Sequence, residues 1–140
     1  MEAGYRILVI DDDPIFVKTT KAVLEAHGYV VDSAADGSEG LTKMVEDKPD
    51  LVLLDVMMDW PLEGVTVSRE MMDRAELRRI PIVMVTSIRS SEYRGSFPLD
   101  KYLHIDSWLD KPCPPETLVE EVERVLARHE RYRENAARKD

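Results

Sequence analysis

The chain has 140 residues, 44% of them hydrophobic, which suits one globular domain with a real core and leaves too little length for a second. Its 19 basic and 28 acidic side chains give a net charge of −9, which disfavours nonspecific binding to nucleic acid or an acidic membrane and points to protein partners. No apolar run approaches the roughly 20 residues of a membrane span, the N-terminus lacks a signal-peptide pattern, and the single Cys113 excludes an internal disulfide, so a cytoplasmic protein is expected.

"RILVI" (6–10) is a continuous apolar run, as expected of a strand covered on both faces. Asp11, Asp12 and Asp13 follow it, then Pro14. Asp13 reads as a helix N-cap with proline in the first turn. Asp11 and Asp12 remain, and like charges at the end of a core strand need a stabilising partner, for which a divalent cation is the simplest candidate. The first helix is expected from Pro14 to His27, with Phe16, Thr20, Val23, Leu24 and His27 inward and Gly28 where a C-terminal cap belongs. "YVVDSA" (29–34) reads as the second strand, Ser38 to Asp47 as the second helix with Leu41, Met44 and Val45 inward, and "LVLLD" (51–55) as the third strand. A third helix is expected from Val65 to Leu77, a fourth strand at "PIVMVTS" (81–87), and a short fifth at "SWLDKP" (107–112). Pro115 opens a last helix in which Leu118, Val122, Val125, Leu126 and His129 share a face. Between Ser87 and Asp106 no period is clean, and at most a short irregular helix is expected.

Strands alternating with helices imply an α/β fold with a parallel sheet. In such a sheet ligands bind at the carboxyl ends of the strands. Asp11 and Asp12 stand after the first strand, Asp55 after the third, Thr86 after the fourth and Lys111 after the fifth. A lone aspartate at a strand end is most often a turn or capping residue, and a lysine before proline is most often solvated. Strand ends that deliver three carboxylates, a hydroxyl and an ammonium to one edge are much more specific.

On "ILVIDDDP", "PDLVLLDVMM", "IPIVMVTS" and "WLDKP", in that order, the chain resembles the receiver domain of bacterial two-component response regulators over about residues 5–128. The resemblance implies a doubly wound, flavodoxin-like (βα)5 sheet of order 2-1-3-4-5 and phosphoryl transfer from a histidine kinase or histidine phosphotransfer protein. It makes Asp55 the phosphoacceptor and gives Mg²⁺ to Asp11, Asp12, Asp55 and the backbone carbonyl of Met57. It gives Thr86 and Lys111 contacts to phosphoryl oxygens, makes the Lys111–Pro112 bond cis, and places Trp108 at the position that switches with Thr86. It puts Met57 and Ile88 beside the path of the hydrolytic water, where two apolar side chains prolong the phosphorylated state. Such a domain catalyses its own phosphorylation and dephosphorylation, yet is chiefly a switch.

The chain departs from the family in a connection one residue longer between the third strand and the third helix, with Gly64 displaced accordingly, in a longer segment from Thr86 to Lys111, and in tryptophan at 108 where tyrosine or phenylalanine is usual. Trp60, Tyr93, Phe97 and Tyr102 are expected to pack two long loops on each other, the alternative being an exposed recognition patch. Residues 1–128 are expected to form the receiver and 129–140 a partly frayed extension of the last helix, giving a stand-alone receiver that acts by binding a downstream protein or by passing the phosphoryl group on. The alternative is a receiver-like binding module independent of phosphorylation, which an intact acidic pair, Asp55 and Lys111 argue against. A haloacid-dehalogenase-like phosphatase lacks its threonine in "DDDPI", and a flavin binder's phosphate would be repelled by three carboxylates.

Overall fold

In the computed structural model, which describes residues 4–56, 58, 63–86 and 105–138, the expected strands are β1 (Arg6–Ile10), β2 (Val30–Ala34), β3 (Leu51–Asp55), β4 (Ile82–Thr86) and β5 (Ser107–Asp110). They form one parallel sheet in the order β2-β1-β3-β4-β5. The helices are α1 (Pro14–Ala26), α2 (Gly37–Asp47), α3 (Glu63–Asp73) and α4 (Pro115–Arg138). Ile7, Val9, Leu51, Leu53, Val83 and Val85 pack on one face with Leu24 of α1 and Leu118, Val122 and Val125 of α4. The alternate residues Leu8, Ile10, Val52, Leu54, Ile82 and Met84 pack on the other with Met44 of α2 and Val67 and Met71 of α3. Both faces of the central strands are covered, so β1, β3 and β4 carry near-continuous apolar runs, and each fully buried side chain of this kind contributes about 1.5–3 kcal/mol. Among the described residues, no helix is long and apolar enough to cross a membrane.

Local chemistry sets the helix ends. Asp13 caps α1 by accepting from Ile15 N–H at 3.0 Å and Phe16 N–H at 3.3 Å. At its other end Gly28 takes φ +93°, Gly28 N–H bonds Glu25 O, and Tyr29 N–H bonds Leu24 O, a Schellman closure that needs the left-handed conformation glycine tolerates. His27 is therefore an exposed C-cap residue and does not face inward as expected. Val45 is also corrected: it is 41% exposed, because Gly40 and Met44 take the sheet-facing positions of α2 and Leu41 packs at their margin. The third helix starts two residues early and stops at Asp73; Leu77 still reaches the core because tight turns, Leu77 N–H to Arg74 O and Ile80 N–H to Leu77 O, bring the chain round toward β4. The irregular stretch expected from Ser87 to Asp106 lies mostly outside the described residues; its last two residues are described, and Asp106 Oδ2 accepts from Ile82 N–H at 2.9 Å.

β2 forms an outer edge of the sheet. Val30 N–H donates to Tyr5 O and Ala34 O accepts from Asp11 N–H, so Ser33 and Ala35 turn their backbone groups outward. Side chains cover those groups: Asp32 accepts from Ser33 N–H at 2.7 Å, Glu39 from Ala35 N–H at 2.8 Å, and the Lys43 ammonium donates to Ser33 O while pairing with Asp32 at 3.3 Å. The edge is thereby blunted against pairing with a foreign strand.

At the start of β5, Ser107 Oγ donates to Glu121 Oε1 at 2.6 Å, and Arg124 donates to both Glu121 oxygens at 2.7 and 3.0 Å. The bonds from Arg124 and then Ser107 hold the Glu121 carboxyl at about 2, below its ordinary 4.5. A depressed folded-state pKa stabilises above the unfolded value and loses that contribution as pH falls through the folded one. Glu121→Gln is therefore expected to flatten the fall in melting temperature between pH 4.5 and about 2. Melts across that range check this, and an unchanged acid limb would assign the sensitivity to other carboxylates.

Candidate functional site

Parallel strands with level ends build the site. Ile10 stands opposite Leu54, Asp55 opposite Val85, and Thr86 opposite Asp110. One residue further on, Asp11 N–H bonds Ala34 O at 3.0 Å and Lys111 N–H bonds Thr86 O at 2.8 Å. Residues far apart in sequence thus meet at one edge. Asp11, Asp55 and Thr86 are buried, at 3%, 5% and 5% exposure, while Asp12 is exposed. The Lys111–Pro112 peptide bond is cis, as the resemblance implies.

Carboxylate oxygens of Asp11, Asp12 and Asp55 all lie within 4.8 Å of one another. The Lys111 ammonium is 2.7 Å from Asp11 Oδ2, 3.5 Å from Asp55 Oδ2, and 4.4 Å from the centroid of the Phe16 ring. Burial works against this ammonium, but the close contact with Asp11 and the charges of Asp55, Asp11 and Asp13 outweigh it and raise the Lys111 pKa. It stays cationic at neutral pH. Three carboxylates against one ammonium leave two negative charges without compensation inside the cluster. Asp11 Oδ1 accepts from Asp13 N–H at 2.9 Å; Oδ2 is buried, makes no well-aligned hydrogen bond, and has the Lys111 contact alone among the described residues. Hard oxygen donors with two surplus charges and an underused buried oxygen fit a hard divalent cation such as Mg²⁺.

Asp11, Asp12, Asp55, Thr86 and Lys111 are thus brought to one edge. Trp108 is half-buried against the α2–α3 face beside Met84, and the strand pairing puts Thr86 on that same face two residues along. Met57 and Ile88 lie outside the described residues, as do Trp60, Tyr93, Phe97 and Tyr102. Two contributors escaped the sequence reading. Phe16, taken there only as an inward residue of α1, also lies beneath the Lys111 ammonium. Glu63 is buried and its Oε2 accepts from Gly37 N–H at 2.7 Å; its one signal was its place directly before Gly64.

Residues 7–123 match the response regulator receiver domain. The chain belongs to this family of two-component signalling proteins. It is 34% identical to Protein PilH of Pseudomonas aeruginosa over 122 residues, 87% of this chain and 98% of PilH. It is 35% identical over 125 residues to the alkaline phosphatase synthesis transcriptional regulatory protein PhoP of Bacillus subtilis, covering 89% of this chain and 50% of PhoP. The chain therefore spans nearly all of one relative and half of the other. Among solved structures, a CheY-like receiver domain protein from Methanospirillum hungatei JF-1 superposes with a TM-score of 0.80 at 31% identity, over 93% of this chain and 99% of that one. The chemotaxis protein CheY4 of Vibrio cholerae gives 0.77 at 31% identity, over 88% and 99%. These neighbours share the doubly wound sheet described above.

Proposed function

We propose that this chain is the phosphoacceptor of a two-component relay, with Asp55 taking a phosphoryl group from the phosphohistidine of a sensor kinase or a phosphotransfer protein. The observation that carries the reading is the cluster at the strand ends, where buried Asp55 lies beside two further carboxylates and within 3.5 Å of the Lys111 ammonium. An Asp55 oxygen forms the bond to phosphorus while the donor's phosphorus–nitrogen bond breaks and its electron pair returns to the imidazole. Asp11, Asp12, Asp55 and the Met57 carbonyl would hold Mg²⁺, which when bound supplies charge neutralisation for the phosphoryl oxygens. Lys111 adds a fixed positive charge, and the Thr86 hydroxyl offers a donor at the end of β4. Trp108, on the same sheet face as Thr86, would follow its movement and alter the surface read by a downstream protein. Residues 1–128 form the receiver unit in this reading, and 129–138 are the last turns of α4 beyond it.

Incubation with acetyl phosphate and Mg²⁺ is expected to add one hydroxylamine-sensitive phosphoryl group, read by intact-protein mass. No mass gain at saturating donor and Mg²⁺ would remove the reading. Asp12→Ala is expected to weaken Mg²⁺ at least tenfold, about 1.4 kcal/mol, in a titration followed by tryptophan fluorescence. Unchanged affinity in that variant would move the cation away from this cluster.

A further inference from the structure

Glu63 is a buried carboxylate that the reaction proposed above does not use, 6% exposed in the first turn of α3. Its Oε2 accepts the N–H of Gly37, the first residue of α2, at 2.7 Å across 26 positions of sequence. A buried carboxylate is costly unless strong donors meet it, and the first amide of a helix is such a donor, with the positive end of the helix dipole behind it. The junction leaves no slack. A Cβ on Gly37 would stand 2.6 Å from Val67 Cγ2 and 3.1 Å from Glu63 Oε2, and one on Gly64 would stand 2.1 Å from the Asp55 carbonyl oxygen. Gly64 N–H in turn donates to Val56 O at 2.9 Å, immediately past Asp55. On the opposite side, Ala34 O, at the end of the strand that leads into α2, accepts from Asp11 N–H at 3.0 Å. A circuit therefore runs behind the acid cluster, from Asp11 to Ala34, along the chain to Gly37, across to Glu63, and through Gly64 to Val56 and Asp55. Glu63 supplies the side-chain link in it.

We propose that Glu63 is a positioning residue for phosphoryl uptake: by tying the start of α2 to the start of α3 it holds Asp55 in register with Asp11 and Asp12. This deepens the phosphoacceptor reading and rests on it. Glu63 is not among the clustered carboxylates that face a cation, so its effect passes through the backbone.

The test compares four proteins under acetyl phosphate and Mg²⁺: wild type, Glu63→Met, Glu63→Gln and Val67→Ala, with Glu63→Ala as a second truncation should Glu63→Met fail to fold. Glu63→Met keeps volume and loses the acceptor; it is expected to weaken Mg²⁺ about fivefold and to slow uptake at saturating Mg²⁺ about tenfold, the scale of a small misplacement of reacting groups. Glu63→Gln keeps an oxygen for Gly37 N–H and is expected to remain within about twofold of wild type in both. Val67→Ala loosens the same junction without touching the bond, so it should lower the melting temperature and leave both readouts unchanged. Wild-type Mg²⁺ affinity and uptake in the folded truncation overturn the proposal, and so does a Val67→Ala protein that loses as much function as Glu63→Met. A wild-type chain that takes up no phosphoryl group is a different failure, which ends the phosphoacceptor reading and this inference with it.

Discussion

Asp55→Asn is expected to slow phosphoryl uptake from acetyl phosphate by at least about a thousandfold, because an amide oxygen carries no charge to attack phosphorus and loss of a nucleophile removes the step it performs. The variant should fold. Asp55 is 5% exposed and shares its site with Asp11 and Asp12, so neutralising it removes repulsion between like charges, while Lys111 keeps its 2.7 Å contact with Asp11. The melting temperature of Asp55→Asn is accordingly expected to equal or exceed that of wild type. Loss of uptake with stability retained is the signature of an acceptor; wild-type uptake by the variant would place the phosphoryl group elsewhere.

Gly64→Ala is expected to destabilise the fold by about 3 kcal/mol or more, roughly a 10 °C fall in melting temperature for a domain of this size. The added Cβ would stand 2.1 Å from the Asp55 carbonyl oxygen and 2.9 Å from both Asp55 C and Val56 Cα, all backbone atoms of the segment that carries the Asp55 side chain. No flexible side chain can give way. Either α3 withdraws, breaking the 2.9 Å bond from Gly64 N–H to Val56 O, or the end of β3 shifts under Asp55. Gly28→Ala is the contrasting case: its Cβ meets nothing within 4 Å, so the cost comes from φ +93° alone, about 1–2 kcal/mol. Thermal or urea melts of the two variants separate steric exclusion from backbone strain. A Gly64→Ala protein that melts like wild type would mean that α3 can retreat freely, and would weaken the case that this junction holds Asp55 in place.

The Lys111 contacts refine the family expectation. Its ammonium sits 2.7 Å from Asp11 and 3.5 Å from Asp55, over the face of Phe16, so the cation that the resemblance assigns to a phosphoryl oxygen is lodged chiefly on Asp11, a carboxylate that the same resemblance assigns to Mg²⁺. Two carboxylates reached by one lysine divide its charge by distance, and the shorter contact dominates.

The central strands were legible in the sequence because each is buried on both faces: "RILVI", "LVLLD" and "IVMVT" leave no room for alternation, and the polar residue that ends or follows each run marks the carboxyl edge of the sheet. The N-cap at Asp13 and the left-handed Gly28 were legible for a related reason, since capping depends on neighbours within a few residues. Asp11, Asp12, Asp55, Thr86 and Lys111 could be proposed together because a parallel sheet sends every strand end to the same edge. Tertiary structure alone decided the finer choice of which helix positions face the sheet, so that Gly40 joined the expected Met44 inward and Val45 turned outward. It alone decided that Lys111 leans toward Asp11 and rests on Phe16, since that choice lies in ångströms between residues about a hundred positions apart. Glu63 is the clearest case: in sequence it is an acidic residue just before the expected third helix, where such residues usually meet water, and its burial arises from an amide of another helix that only the folded chain brings within 2.7 Å.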